Sequence, residues 1–320
     1  MDQLKKTTRR KFLKTSATIA CSAPFLGIMP LVEMPENTDK NLQVFIFSKH
    51  LQFLNYEEMA EAAKEIGFDG VDLTIRPKGH VIPESVKDDL PLATQAIKSV
   101  GFEPNMFTTN IVNVNDPYSI QVLETTAELG YNLYRAGWLK YKDDISIKNS
   151  IDQAHKQLKK LSRLNKKLGL KGAYQNHARE YVGASIWDMD LILDGLSPEY
   201  LGCQYDIRHA TVEGGSSWQI GLRLIKDHIN SIVIKDFKWG KVNGVWKPVN
   251  TPLGEGMVDF QRYFSFLKKH QINVPVSMHF EYDLGGAEKG KSKLTIPQKQ
   301  VFAKMKKDLQ YLRNTWEKAV

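Results

Sequence analysis

Eight short apolar runs of β type, separated by longer stretches with helical spacing, constrain this fold most. The candidate strands are 44–48, 70–75, 103–108, 133–138, 170–175, 201–206, 232–236 and 274–281. Between them, the stretch from Tyr56 sets Met59, Ala63 and Ile66 on one helical face and meets Gly67. The stretch from Ile151 to Leu168 does the same before Gly169, and Asp259 to His270 carries Phe260, Tyr263, Phe264 and Leu267. Glycine just after the last periodic residue is a helix stop, because it takes the left-handed conformation without a Cβ clash. Strands alternating with helices predict parallel β/α construction. Eight such units in one stretch predict an α/β protein, a single-domain (β/α)8 TIM barrel over 42–320. A doubly wound sheet fits less well, because no strand is followed by the Gly-rich dinucleotide turn.

The first 35 residues read differently. Arg9-Arg10 with Lys11 and Lys14 runs into a modestly apolar segment from Thr15 to Val32. A basic region followed by a weak apolar one is the layout of an export signal, and the paired arginines resemble the twin-arginine type. The segment is too diluted by Thr15, Ser16, Ser22, Pro24 and Pro30 for a membrane span, which needs about 20 strongly apolar residues. The expected organisation is a signal peptide at 1–35, a polar linker at 36–41 and a periplasmic barrel. Cys21 follows Thr18-Ile19-Ala20, a poor lipobox whose use would leave a lipid anchor. Without that lipid, no membrane association is expected once the signal is removed.

Charge points away from nucleic acid. The full chain carries a net +8, but beyond residue 35 it has 38 basic and 34 acidic side chains, a net of +4. That is an ordinary surface balance rather than a basic footprint. Only Cys203 lies beyond residue 35, so the barrel forms no internal disulfide and depends on burial of its core. A chain of this length buries about three quarters of its unfolded surface.

In a barrel of this kind the site forms at the C-terminal ends of the strands. Those ends are rich in chemistry here: Lys49-His50, Arg76 to His80, Trp138 with Lys140, Gln175-Asn176-His177, Asp206 to His209, Lys235 to Trp239, and His279 to Asp283. Side chains two apart on a strand share a face, so Gln175 and His177 form one inward pair and His279 and Glu281 another. Taken singly, each residue is as readily a core hydrogen-bonder; their convergence on one rim marks a site. His50, His80, Trp138, Lys140, His209, Lys235 and Lys238 are the candidate substrate contacts. His155, His228 and His270 fall in helical stretches and carry no role.

The segments Tyr174-Gln175-Asn176-His177, Asp206-x-x-His209, Ile234-Lys235-Asp236, Pro252-Leu253-Gly254-Glu255-Gly256 and Phe280-Glu281-Tyr282 resemble the xylose-isomerase-like TIM barrel superfamily of sugar isomerases and epimerases. The resemblance spans 42–312. It implies a divalent metal held by Glu, Asp, His and Glu on the last four strands, which correspond here to Gln175, Asp206, Val233 and Glu281. Gln175 can offer only an amide oxygen and Val233 nothing. His279, or His177, stands in for the missing histidine. The expected ligand set is then Gln175, Asp206, His279 and Glu281, for Mn, Zn, Co, Fe or Mg. His209 is implied as a substrate contact.

The reaction so implied removes a proton α to a sugar carbonyl, with a cation stabilising the enediolate. Glu281 is the expected base, with His177 or His209 as partner acid and base. A small-molecule carbohydrate is the expected partner, and a homo-oligomer is compatible with the sequence. A one-base site also suits a lyase or hydratase acting on oxidised (keto) glycosides. Loss of two family ligands suits a non-catalytic carbohydrate-binding barrel. Gly285 to Ser292 matches the pattern GxxxxGK[ST], but a phosphate-binding loop begins its helix at the final Gly-Lys-Ser. Here the helix is predicted near Pro297, so a glycine- and lysine-rich loop over the substrate is the better reading.

Overall fold

The computed structural model describes residues 41–320, so the expected signal, linker and Cys21 lie outside the described residues. Eight parallel strands close on themselves in the order β1, β10, β7, β6, β5, β4, β3, β2. They are β1 (Val44–Phe47), β2 (Gly70–Thr74), β3 (Met106–Thr108), β4 (Leu133–Arg135), β5 (Lys171–Gln175), β6 (Leu201–Asp206), β7 (Ile229–Ile234) and β10 (Val276–Met278). Helices fall between them, as the alternating pattern predicts.

The helix ends follow from the sequence. Helix α1 (Tyr56–Ile66) opens on a reciprocal capping box: Glu58 N–H donates to Asn55 Oδ1, and Asn55 N–H to Glu58 Oε2. It stops at Gly67, whose φ of 106° a side chain would resist. A longer helix, Ile147–Leu168, stops in the same way at Gly169. Helix Phe260–Lys269 opens on Asp259, which accepts from Arg262 N–H.

Inside the barrel the side chains form layers. Phe45, Met106, Leu133 and Ala173 make an apolar plug. Above it Asp72 accepts from the hydroxyls of Thr108, at 2.9 Å, and Ser277, at 2.5 Å. Residues of opposite parity face outward: Tyr134 donates to Asn165 Oδ1 on the surrounding helix at 2.9 Å. Strands β3, β4 and β10 have only three residues, shorter than expected. The backbone leaves the ladder early, and Trp138 and Glu281 stand on the rim beyond it.

One addition breaks the β/α rhythm. Strand β8 (Asp236–Val242) turns through Asn243-Gly244 into β9 (Val245–Thr251), an antiparallel hairpin outside the barrel. Both turn residues have positive φ, 52° and 81°, as a two-residue hairpin turn demands. Asp236 anchors the chain after it. Its carboxylate accepts from the backbone N–H groups of Phe237, Gly254, Gly256 and Val258 at 2.8–3.2 Å. A Cβ on Gly256 would sit 2.2 Å from Asp236 Oδ1, so the turn closes over the carboxylate only because residue 256 has no side chain. The Gly285–Ser292 segment holds only a short 3-10 turn, Ala287–Lys289, and the last helix starts at Gln298. Among the described residues no helix is long and apolar enough to cross a membrane.

Replacing Asp236 by Ala removes the acceptor of four backbone N–H groups, two of them on the buried Phe237 and Val258, and should cost about 3 kcal/mol. A lowered denaturant midpoint, with new proteolytic cleavage between 252 and 258, is the expected result.

Candidate active site

Asp206 ends β6 and also caps the short helix Ile207–Gly214. Its Oδ1 accepts from His209 N–H at 3.0 Å, so the Asp-x-x-His spacing is a helix cap that sets both side chains at the mouth. Asn176 clamps the same residue, donating to Asp206 O at 3.0 Å and accepting from Asp206 N–H at 2.7 Å. Within Gln175-Asn176-His177, then, the middle residue fixes the strand end, while Gln175 donates through Nε2 to Asp206 Oδ2 at 2.7 Å. A carboxylate only accepts, so the amide nitrogen must face it, and Gln175 Oε1 is left without a partner.

Lys235 stands at the centre. It lies on the same face as Val233, two residues along, and its side chain is 3% exposed. The ammonium is 3.1 Å from Asp206 Oδ2, 3.0 Å from His209 Nε2 and 3.5 Å from Glu281 Oε1. The ammonium thus faces two carboxylates and a ring nitrogen; Arg208 Nη1 lies 3.1 Å from the other nitrogen of the same ring, and a neutral imidazole accepts at only one of the two. Glu281 keeps 28% of its side chain exposed, and its backbone carbonyl accepts from Asn250 on β9 at 3.3 Å. Asn250 in turn accepts from Arg208 Nη2 at 2.8 Å, so the hairpin braces this rim.

Electrostatics divide the groups. Burial would raise the Glu281 carboxyl, but Lys235, His279 and Lys49 outweigh it and hold Glu281 well below the usual carboxylate range. Burial, then the cations Lys235 and Arg208 and the nearby His177, keeps His209 neutral. Burial and Lys235 likewise lower His177 to about 4. His177 Nδ1 lies 2.9 Å from the Ala178 carbonyl, so Nδ1 carries the proton and Nε2 keeps its lone pair. The ring packs at 4.0 Å on His209 and 4.8 Å on Trp138.

The other expected residues are spread more widely. His279 stacks on Phe47 at 4.2 Å, with Nδ1 3.9 Å from Glu281 Oε1; burial lowers it to about 3. His50 is fully buried. It receives Phe280 N–H on Nε2 at 3.0 Å and reaches the Ala287 carbonyl at 3.2 Å through Nδ1, so both nitrogens tie the last loop down. His80 Nδ1 lies 3.1 Å from Ser48 Oγ, and its Nε2 has no partner. Lys140 and Lys238 are exposed, and neither touches the Asp206–Lys235–Glu281 group among the described residues. Sequence reasoning gave no role to Arg208, Asn250 or Arg135. Arg208 was visible at a strand end, but Asn250 depends on a hairpin signalled only by Asn243-Gly244.

The expected metal can now be tested against the donors. Among the described residues no group of three or more His, Cys, Asp or Glu side chains is arranged to hold a metal ion. Asp206 and Glu281 converge on an ammonium, Gln175 turns its N–H groups inward, and Val233 supplies no donor. A dication between the two carboxylates would meet the positive charge of Lys235 at hydrogen-bond range. The residues present do not fit a divalent metal.

Residues 60–313 match the family model for the xylose isomerase-like TIM barrel, and the chain belongs to that family. No curated protein matches it. Among solved structures it is similar to D-psicose 3-epimerase from Clostridium cellulolyticum H10, with a TM-score of 0.64 and 12% identity over 86% of this chain and 99% of that one. It is similar also to 3-keto-D-glucoside 4-epimerase from E. coli, with a TM-score of 0.62 and 15% identity over 85% and 99%. An L-ribulose 3-epimerase gives 0.65 and 12% over 87% and 95%. At such identities the likeness is one of fold.

In a proton NMR titration His177 should protonate near pH 4 rather than 6.5. Lys235→Met removes one cause of the lowering and should move that midpoint upward; a wild-type midpoint above 6 would contradict the site as described.

Proposed function

We propose that this protein is a carbohydrate epimerase or isomerase in which Glu281 removes a proton α to a carbonyl and the Lys235 ammonium stabilises the enediolate. The observation that carries this reading is the buried Lys235 Nζ, held at 3.0–3.5 Å from Asp206, His209 and Glu281. Breaking the C–H bond sends its proton to a Glu281 oxygen and its electron pair toward the carbonyl oxygen. A fixed cation in a water-poor site is the most effective partner for the charge that appears there. Lys235 fills that role from the chain itself.

The resting ion pair makes Glu281 a weak base. A substrate oxygen that draws Lys235 to itself removes that pairing and raises the carboxylate's proton affinity as the proton is taken. His177 Nε2, with its free lone pair, is the proposed partner that exchanges a proton on the other side of the reacting carbon. Delivery of a proton to the opposite face of that carbon gives an epimer; delivery to the neighbouring carbon, with the hydroxyl proton passed from that carbon's oxygen to the former carbonyl oxygen, gives an isomer. The family and the 3- and 4-epimerases of similar fold support this class of reaction. The Arg9-Arg10 segment supports export, and with it free or glycosidic sugars rather than phosphorylated ones.

Incubation with a panel of ketoses and 3-keto-glucosides, and their acid counterparts, in deuterated water should introduce deuterium beside the carbonyl. Glu281→Gln and Lys235→Met should each lower that exchange about a thousandfold while leaving the circular dichroism spectrum unchanged. Chelation with EDTA should leave the rate as it was. Loss of activity on chelation, with recovery on adding a divalent metal, would remove Lys235 from its assigned role.

A further inference from the structure

Around the mouth the barrel holds positive charge that the chemistry above does not use. Arg135, the last residue of β4, points inward, opposite in parity to Tyr134, and is 2% exposed. Its Nη2 donates to the Thr109 carbonyl at 3.1 Å, but Nε and Nη1 have no partner. The guanidinium lies 4.0 Å from the Trp138 ring, whose own Nε1–H is also unpartnered. Arg76, just beyond β2, lies over Phe47 at 5.4 Å, and its Nε is buried without an acceptor. Its backbone is pinned by a bond to Val81 O at 3.0 Å.

Both arginines sense the same carboxylate, Asp72. Asp72, however, is already occupied by the hydroxyls of Ser277 and Thr108. No ion pair within 4.0 Å joins it to either guanidinium among the described residues. Burial, and then the neighbouring Arg76, pulls Arg135 down to about 9. An enclosed guanidinium with unspent N–H groups is costly, and the cost falls when an anion with free lone pairs enters.

The two arginines belong to the same chamber as the reacting groups. Trp138 packs on His177, His177 on His209, and His209 Nε2 lies 3.0 Å from Lys235. Arg76 joins the same mouth from its other side, over Phe47, on which His279 stacks beside Glu281.

We propose that Arg76 and Arg135 form a subsite for a carboxylate carried by the substrate, which makes that substrate an acidic sugar derivative rather than a neutral sugar. This deepens the reading of Glu281 and Lys235 as the reacting pair and rests on it for where the sugar lies. A carboxylate suits the enclosed Arg135 better than a phosphate does, since it is planar and smaller and matches the flat guanidinium.

Calorimetry on the full chain tests this without any turnover, using D-glucuronate, D-glucose and D-glucose 6-phosphate as probes. Glucuronate should bind at least about tenfold more tightly than glucose. Arg76→Gln and Arg135→Gln should each remove about tenfold of the glucuronate affinity and leave glucose unchanged. Among the described residues Arg76 makes no side-chain hydrogen bond, so its variant reports even if Arg135→Gln does not fold. Glucuronate binding no tighter than glucose, including no measurable binding of either, overturns the proposal. So does tighter, arginine-dependent binding of the phosphate. Lys235→Met should retain the preference for glucuronate, so a failure of the proposed chemistry is distinguishable from a failure of the subsite.

Discussion

The buried contact of Lys235 with Asp206, His209 and Glu281 is the interaction on which the upper barrel depends. Two carboxylates brought to one end of a closed sheet repel each other unless a cation lies between them. Enclosing charges is costly, and it is tolerated only when geometry and hydrogen bonding are nearly complete. Here the completion is visible: Gln175 and His209 N–H fill the remaining positions on Asp206. Asn176 and Asn250 fix the backbone of the two acidic residues.

That arrangement sets the character of the site. A metal would act as a dication bound by several donors, whereas an ammonium is a single charge on a flexible stem. In the proposed reaction Lys235 turns from Glu281 to a substrate oxygen while Asp206 still holds it. The neutral imidazoles around it, His177 near 4 and His279 near 3, keep further positive charge off this wall at neutral pH. Further charge stands at the same mouth on Arg76, over Phe47, and on Arg135, against Trp138.

Some of the site was legible from strand ends alone. Asp206, His209, Lys235 and Glu281 all stand where the barrel geometry of a sequence-derived strand list puts them, because the side-chain period of two and the polarity of parallel strands are local properties. His50 illustrates the limit. It occupies the same kind of position, yet both ring nitrogens are spent on Phe280 and Ala287, residues more than two hundred positions away. Val233 and Lys235 show a second limit. Their shared face was readable, but which neighbour a long flexible side chain turns toward depends on what the adjoining strands bring.

The sequence by itself determined the eight-unit barrel, the glycine stops at Gly67 and Gly169, and the set of polar residues gathered at one rim. Each of these follows from periodicity and backbone preference within a short window. Only the tertiary structure decided that the centre of the site is an ammonium, that the Asn243-Gly244 hairpin braces it, and that two arginines keep buried N–H groups with no acceptor among the described residues. Those outcomes depend on charges and donors from strands far apart in the chain, and their balance exists only once the barrel has closed.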